Sequence, residues 1–233
     1  MLTLSPAEID ALLLSLRVGV VSVAASLPFA LACAFLLSRC DFPGKSLIDG
    51  VVHLPLVLPP VAVGFGLLIL FGRNGMIGSW LYAAFGFTFA FNWKGAALAS
   101  AVVAFPLSVR AMRLSLDAVD RRLEAAARSL GASRWRVLAT ITLPLTAPGI
   151  LTGAILGFAR SVGEFGATIT FVSNIPGETQ TLPLAIYAFT QTPGGDPQAL
   201  RLCLLSIALS LAALLVSEAL LRRANVHAAG RDA

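Results

Sequence analysis

Runs of apolar residues long enough to cross a lipid bilayer recur five times along this chain, at about residues 11–37, 50–71, 95–116, 146–172 and 199–221. About 20 residues in helical form span the roughly 30 Å of bilayer hydrocarbon. Inside lipid every backbone N–H and C=O needs a partner within the protein, which leaves helices and closed barrels. The runs lack the period-2 alternation of barrel strands, so the expected fold is an all-α integral membrane protein. Composition agrees, because 57% of the 233 residues are hydrophobic and only 12% are charged, against about 25% charged in a soluble domain.

The first run has no Lys or Arg ahead of it and exceeds the roughly 7 to 15 residue core of a signal peptide, so it reads as a retained span. Cys33, Cys40 and Cys203 are scattered without a C-x-x-C spacing. They indicate buried or membrane-edge thiols, with neither a disulfide framework nor a metal site.

The net charge of +5 follows topology and does not form a nucleic-acid patch. Lys and Arg collect in short cytoplasmic loops. With the N-terminus outside and the C-terminus in the cytoplasm, the inner segments carry Arg39, Lys45, Arg110, Arg113, Arg121, Arg122, Arg128, Arg134, Arg136, Arg222, Arg223 and Arg231. The outer segments carry only Arg73 and Lys94, and twelve against two sets the expected orientation. Arg17, Arg160 and Arg201 fall within spans, where polar interhelical positions or snorkelling would accommodate Arg17 and Arg201.

Trp80 to Phe91 is too short to span and is interrupted by Gly86, so an interfacial or re-entrant segment is expected, with Trp80, Tyr82 and Trp93 at the headgroups. Thr181 to Thr190 is also too short. Pro55, Pro59 and Pro60 lie inside the second run and remove backbone donors, which predicts a kinked or locally unwound helix. Such a break is tolerated only against protein or a water-lined cavity. No internal repeat or linker divides the chain, so residues 1–233 are expected to form one membrane domain.

Residues 117–144 make the longest cytoplasmic connection. Asp117 to Leu130 is rich in helix formers, with Leu123, Ala127 and Leu130 on one face and Glu124 four residues before Arg128. Gly131 supplies a left-handed stop, Ser133 can cap a second helix, and Pro144 is expected to close it. A compact helix-turn-helix facing the cytoplasm is a surface for another protein.

In the fourth run, Arg160 and Glu164 sit four residues apart and can pair on one helix face. A charge near mid-span costs roughly 2.5 to 3.5 kcal/mol on insertion scales, so both should face the protein interior or a cavity. Ser161, Thr168 and Thr170 are candidate pathway hydroxyls. Gly153, Gly157, Gly163 and Gly166 would let another helix approach closely. Gly44-Lys45-Ser46 ends like a phosphate-binding loop, but Arg39 occupies the place of the required earlier glycine and no strand precedes it. His53 and His227 lack a second set of ligands, so no metal or catalytic site is indicated, and His53 is expected to be a polar helix-packing residue.

Gly131, nine residues, then Ile141-Thr142-Leu143-Pro144 resembles the G-x9-I-x-L-P half of the loop signature of binding-protein-dependent ABC importer permeases. Relatives with that signature read E-A-A-x3-G, whereas this register holds Ala125, Ala126 and Ala127 with Glu124 displaced by one. Gly163-Glu164-Phe165-Gly166-Ala167-Thr168, followed by Asn174-Ile175-Pro176-Gly177-Glu178-Thr179 and Thr181-Leu182-Pro183, resembles molybdate permeases, and sulfate permeases share the E-F-G-A part. The resemblance implies a type I importer permease fold and a coupling surface built from Glu124, Ala125, Ala126, Ala127, Gly131, Ser133, Arg134, Ile141, Leu143 and Pro144. It also implies two cytoplasmic ATP-binding subunits that hold ATP and magnesium, a periplasmic molybdate-binding protein, and a location in the bacterial inner membrane. A five-span chain forms only half of a central pathway, so a homodimer is expected. No cofactor and no covalent chemistry fall to this chain.

Overall fold

A computed structural model describes residues 4–229, and every regular element among them is a helix. Helix α1 (Pro6–Arg39) opens on a capping box in which the Ser5 and Glu8 side chains and backbone N–H groups satisfy each other. Helices α2 (Lys45–Val57) and α3 (Pro60–Phe71) meet at an angle of 114°. A short α4 (Met76–Phe85) ends on Gly86 with φ +63°. Helix α5 (Trp93–Ala118) is capped by the Asn92 side chain. Then come α6 (Arg121–Ser129), α7 (Arg134–Val137), a π turn over Leu138–Thr142, α8 (Leu143–Val162) and α9 (Gly166–Val172). Helices α10 (Leu182–Thr190) and α11 (Asp196–Ala229) complete the described residues. Among the described residues, four helices are long and apolar enough to cross a membrane, or five if the bent α2–α3 pair is one span.

Helix α5 is the hub. Buried positions make up 61% of its most apolar stretch, against 22% in α1 and 11% in α11. One side of α5 packs Val109, Met112 and Leu116 against Ala30, Ala34 and Leu37 of α1. On another side, α8 comes close because its contact residues are glycines. A Cβ on Gly153 would stand 3.0 Å from the Ser108 carbonyl, and one on Gly149 would overlap Ser115. Lipid tails are as apolar as leucine, so close backbone approach and interhelical hydrogen bonds drive such pairing. The Ser108 hydroxyl donates to the Gly153 carbonyl at 2.8 Å. Gly163 departs from the expected stripe: no neighbouring helix comes within contact of its Cβ position.

A second cluster joins Val18, Val63, Leu67, Val103, Phe171 and Val172, and so ties α1, α3, α5 and α9 together. A third joins Ala11 of α1 to Leu182 and Ala185 of α10 and Leu202 of α11. Beside it, Glu8, with its side chain fully buried, pairs with Arg201 at 3.0 Å, so Arg201 is paired and does not snorkel. Arg17 lies 3.7 Å above the Trp93 ring, a cation–π contact that holds the start of α5 against α1.

The break expected in the second run is present and falls at Leu58–Pro59, giving two helices, while Pro55 lies within α2 without interrupting it. Other expected boundaries are corrected. The fourth run is also two helices, divided at Gly163–Phe165. The helix expected from Asp117 is divided as well, because α5 continues to Ala118 and the next helix starts at Arg121 under an Asp120 cap. Pro144 does not end a helix. The Leu143 N–H bonds to the Leu138 carbonyl, and this wider turn carries the chain straight into α8 past the proline that lacks a donor. His53 Nδ1 sits against Asp49 on its own helix, 2.9 Å from the carbonyl and 3.2 Å from the carboxylate. Arg231 lies outside the described residues.

Candidate functional site

The first candidate region is the turn between α6 and α8. Gly131 has φ +84°, a left-handed backbone that suits glycine. Its N–H bonds to the Arg128 carbonyl at 3.0 Å, and the Ala132 N–H reaches Ala127 at 3.1 Å. The Ser133 hydroxyl accepts the Arg136 N–H at 3.3 Å and caps the next helix. These local bonds make a rigid hairpin whose outer face carries Leu130, 89% exposed, and Trp135, 80% exposed. Arg134, Ala125 and Ala126 are also exposed, Ala127, Ile141 and Leu143 are half-buried, and Pro144 is exposed.

Glu124 points the other way. Its Oε1 is 3.1 Å from Arg39 Nη2 at the end of α1 and accepts the Thr142 hydroxyl at 2.9 Å. The expected carboxylate contact with Arg128 is absent; Arg128 Nε donates to the Glu124 backbone carbonyl at 3.2 Å. The carboxylate therefore links α6 to the end of α1 and to the π turn.

The second candidate region is the break between α8 and α9. Glu164, its side chain 1% exposed, pairs with Arg160 at 2.6 Å. Its Oε1 accepts the Ala167 N–H at 2.9 Å, so this buried carboxylate also caps the restarted helix. Ser161 accepts the Ser22 hydroxyl of α1 at 2.9 Å and is buried. Thr168 is 1% exposed and its hydroxyl has no hydrogen-bond partner. Thr170 is half-buried and donates to the Gly166 carbonyl at 2.9 Å. Of the five pathway candidates, Arg160 and Thr170 retain access to the surface of the chain, while Ser161, Glu164 and Thr168 lie behind it.

The two breaks meet. A Cβ on Gly166, at the start of α9, would stand 2.8 Å from Pro60 Cβ at the start of α3, and one on Gly64 would stand 2.5 Å from the Ala167 carbonyl. Interrupted helices are thus placed side by side at the level of the buried ion pair, the arrangement in which irregular backbone at membrane depth can be satisfied.

The sequence reading missed the pairs that join distant elements: Glu124 with Arg39, Glu8 with Arg201, and Ser22 with Ser161. It also missed Trp135, although a lone tryptophan in a basic loop is a usable signal for a contact surface.

Residues 26–226 match the family described as "Binding-protein-dependent transport system inner membrane component". The Molybdenum transport system permease protein ModB of Escherichia coli K12 is 63% identical over 94% of this chain and 96% of that protein. ModB of Haemophilus influenzae is 64% identical over 93% and 94%. A bacterial ABC transporter involved in import of the acidic polysaccharide alginate superposes with TM-score 0.75 at 18% identity, over 94% of this chain and 80% of that one. The inward-facing MetNI methionine ABC transporter gives TM-score 0.73 at 15% identity, over 95% and 99%. At those identities the likeness is one of fold, and the fold is that of type I ABC importer permeases. The chain belongs to the binding-protein-dependent transport system inner membrane components and is a multi-pass protein of the inner membrane.

Proposed function

We propose that this chain is the permease subunit of an ATP-driven molybdate importer, carrying molybdate from periplasm to cytoplasm. The observation that carries the reading is the 63% identity to ModB of Escherichia coli along 94% of the chain. Sulfate transport system permease proteins align at 35 to 40% identity, so sulfate, thiosulfate and tungstate are the competing substrates.

Two copies form the pathway. Helix α2 has no buried residue, and its Leu47 and Val57 are 73% and 82% exposed, so it offers a face for a second protomer. The N-terminus lies outside and the α6–α7 hairpin lies in the cytoplasm, a reading supported by the distribution of Lys and Arg. There the hairpin docks on one of two ATP-binding subunits, which hold ATP and magnesium and carry out hydrolysis. Leu130 and Trp135 supply apolar anchors in an otherwise polar loop. Gly131 and Ser133 fix the shape of the hairpin, and Glu124 positions it from behind. A periplasmic molybdate-binding protein delivers the anion from above.

A tetrahedral oxyanion passes best where hydroxyls, backbone donors and diffuse positive potential replace its water without holding it tightly. Arg160 and Thr170 supply such a wall. Glu164 moderates the Arg160 charge so that the anion is released, and Ser161 and Thr168 support the broken helix from inside. Alternating access then consists of the two protomers rocking around this level.

Native mass spectrometry of the chain co-expressed with its ATP-binding subunit tests the assembly. Two copies of each are expected; a one-to-one complex, or a permease that never retains the ATP-binding subunit, would overturn the proposal.

A further inference from the structure

At the hairpin end of the bundle, the C-terminus of α1, helix α6, α7 and the π turn line a half-open cavity of about 350 Å³, with Arg121, Arg128 and Arg134 exposed at its mouth. Four arginines, Arg39, Arg121, Arg128 and Arg134, line it together with one carboxylate, Glu124. Four guanidinium groups against one carboxylate leave a formal charge of +3 in a space the size of a small ligand pocket. The carboxylate is already committed to Arg39 and Thr142.

Among the other described arginines, Arg113, Arg160 and Arg201 pair with Asp49, Glu164 and Glu8, while Arg17 and Arg73 lie over the rings of Trp93 and Tyr82. Among the described residues no acidic side chain pairs with Arg121, Arg128 or Arg134. Arg121 is held instead by the Ser38 carbonyl at 3.1 Å, and Arg128 by the Glu124 carbonyl at 3.2 Å. Neutral acceptors orient these guanidinium groups, and the nearest compensation for Arg121 is the more distant charge of Asp41. The Arg39 side chain is 8% exposed, and its buried Nε has no hydrogen-bond acceptor, an expensive donor to leave unmatched. Phe35 and Leu138 supply apolar wall beside this charge.

We propose that this cavity is a binding site for a phosphate-class tetrahedral oxyanion group, either free inorganic phosphate or the headgroup of an anionic phospholipid. Guanidinium forks match such oxygens two at a time. The site lies where a span ends, and basic pockets between spans at the cytoplasmic surface recognise lipid headgroups. Because its walls come from α1, α6 and α7, an occupant ties the hairpin to the bundle beside the Glu124–Arg39 contact. The inference is independent of which anion is transported.

The purified full chain, titrated with sodium phosphate against sodium chloride at matched ionic strength, reports the free-anion arm through its unfolding temperature. Reconstitution with phosphatidylglycerol or with phosphatidylcholine alone, followed by native mass spectrometry, reports the lipid arm. Stabilisation by phosphate, or retention of phosphatidylglycerol, is expected in at least one arm. The response should weaken roughly tenfold or more in R121Q/R128Q and persist in R122Q/R136Q, which loses the same charge outside the cavity. R39K, which keeps the ionic partner of Glu124 and so the fold, should also weaken it. No response in either arm would overturn the proposal, as would equal responses in the two double variants. So would loss of the ATP-binding subunit by R121Q/R128Q with phosphate and lipid responses intact, since the cluster would then be a protein contact.

Discussion

The Glu124 carboxylate lies 3.1 Å from the Arg39 guanidinium, so the α6–α7 hairpin, proposed to face the ATP-binding subunit, is tied to the end of α1. Glu124→Ala leaves Arg39 without its ionic partner and should cost about 1 to 3 kcal/mol. Arg39→Ala should cost a similar amount, and the double variant less than the sum of the two, as for residues in direct contact. Unfolding of the four proteins in detergent measures the cycle. Strict additivity would mean that the latch carries no coupling energy.

Gly131 has open space around its Cβ position, so a side chain there is penalised by φ +84° alone. Gly131→Val should strain the turn by about 1 to 2 kcal/mol and sharply reduce co-purification of the ATP-binding subunit. Gly131→Asn, which tolerates this conformation, should retain most of it. Membrane insertion should be unchanged in both, and deletion of residues 133–143 should abolish docking.

The crossing of α3 and α9 depends on Gly64, whose added Cβ would meet both the carbonyl and the Cα of Ala167, at 2.5 and 2.9 Å. Both are backbone atoms, so no side chain can swing aside. Gly64→Ala should destabilise the protein by about 1 to 3 kcal/mol. Gly66→Ala, with nothing near its Cβ position, is the matched control on the same helix.

Removing Arg160 alone strands a buried carboxylate and should cost about 3 to 5 kcal/mol. R160A/E164A removes both charges, so it should assemble nearly as well as the parent while coupling ATP hydrolysis poorly to uptake. The ratio of anion imported to ATP hydrolysed in sealed vesicles reads this directly. An unchanged ratio would reduce the pair to a helix clamp.

The local features of the fold were legible in the sequence because they depend on a few adjacent residues. The apolar runs marked the spans, Gly131 the left-handed turn, Ser133 the cap, and the four-residue spacing the Arg160–Glu164 pair. What escaped was set by packing between distant elements. Glu124 has Arg128 one turn away in sequence but finds Arg39, because the folded bundle brings the end of α1 beneath α6. Pro144 carries a stop signal, yet a π turn absorbs the missing donor and the helix continues. The prolines of the second run announced a break, but not that it would bend the chain by 114° and seat it against the break at Gly166.

Sealed vesicles containing this chain, its ATP-binding subunit and the periplasmic binding protein test the central claim most directly through ATP-dependent accumulation of labelled molybdate. Accumulation that requires hydrolysable ATP and persists in excess sulfate is the predicted result. Accumulation without ATP, or sulfate displacing molybdate on equal terms, would contradict the assignment of this chain to molybdate import.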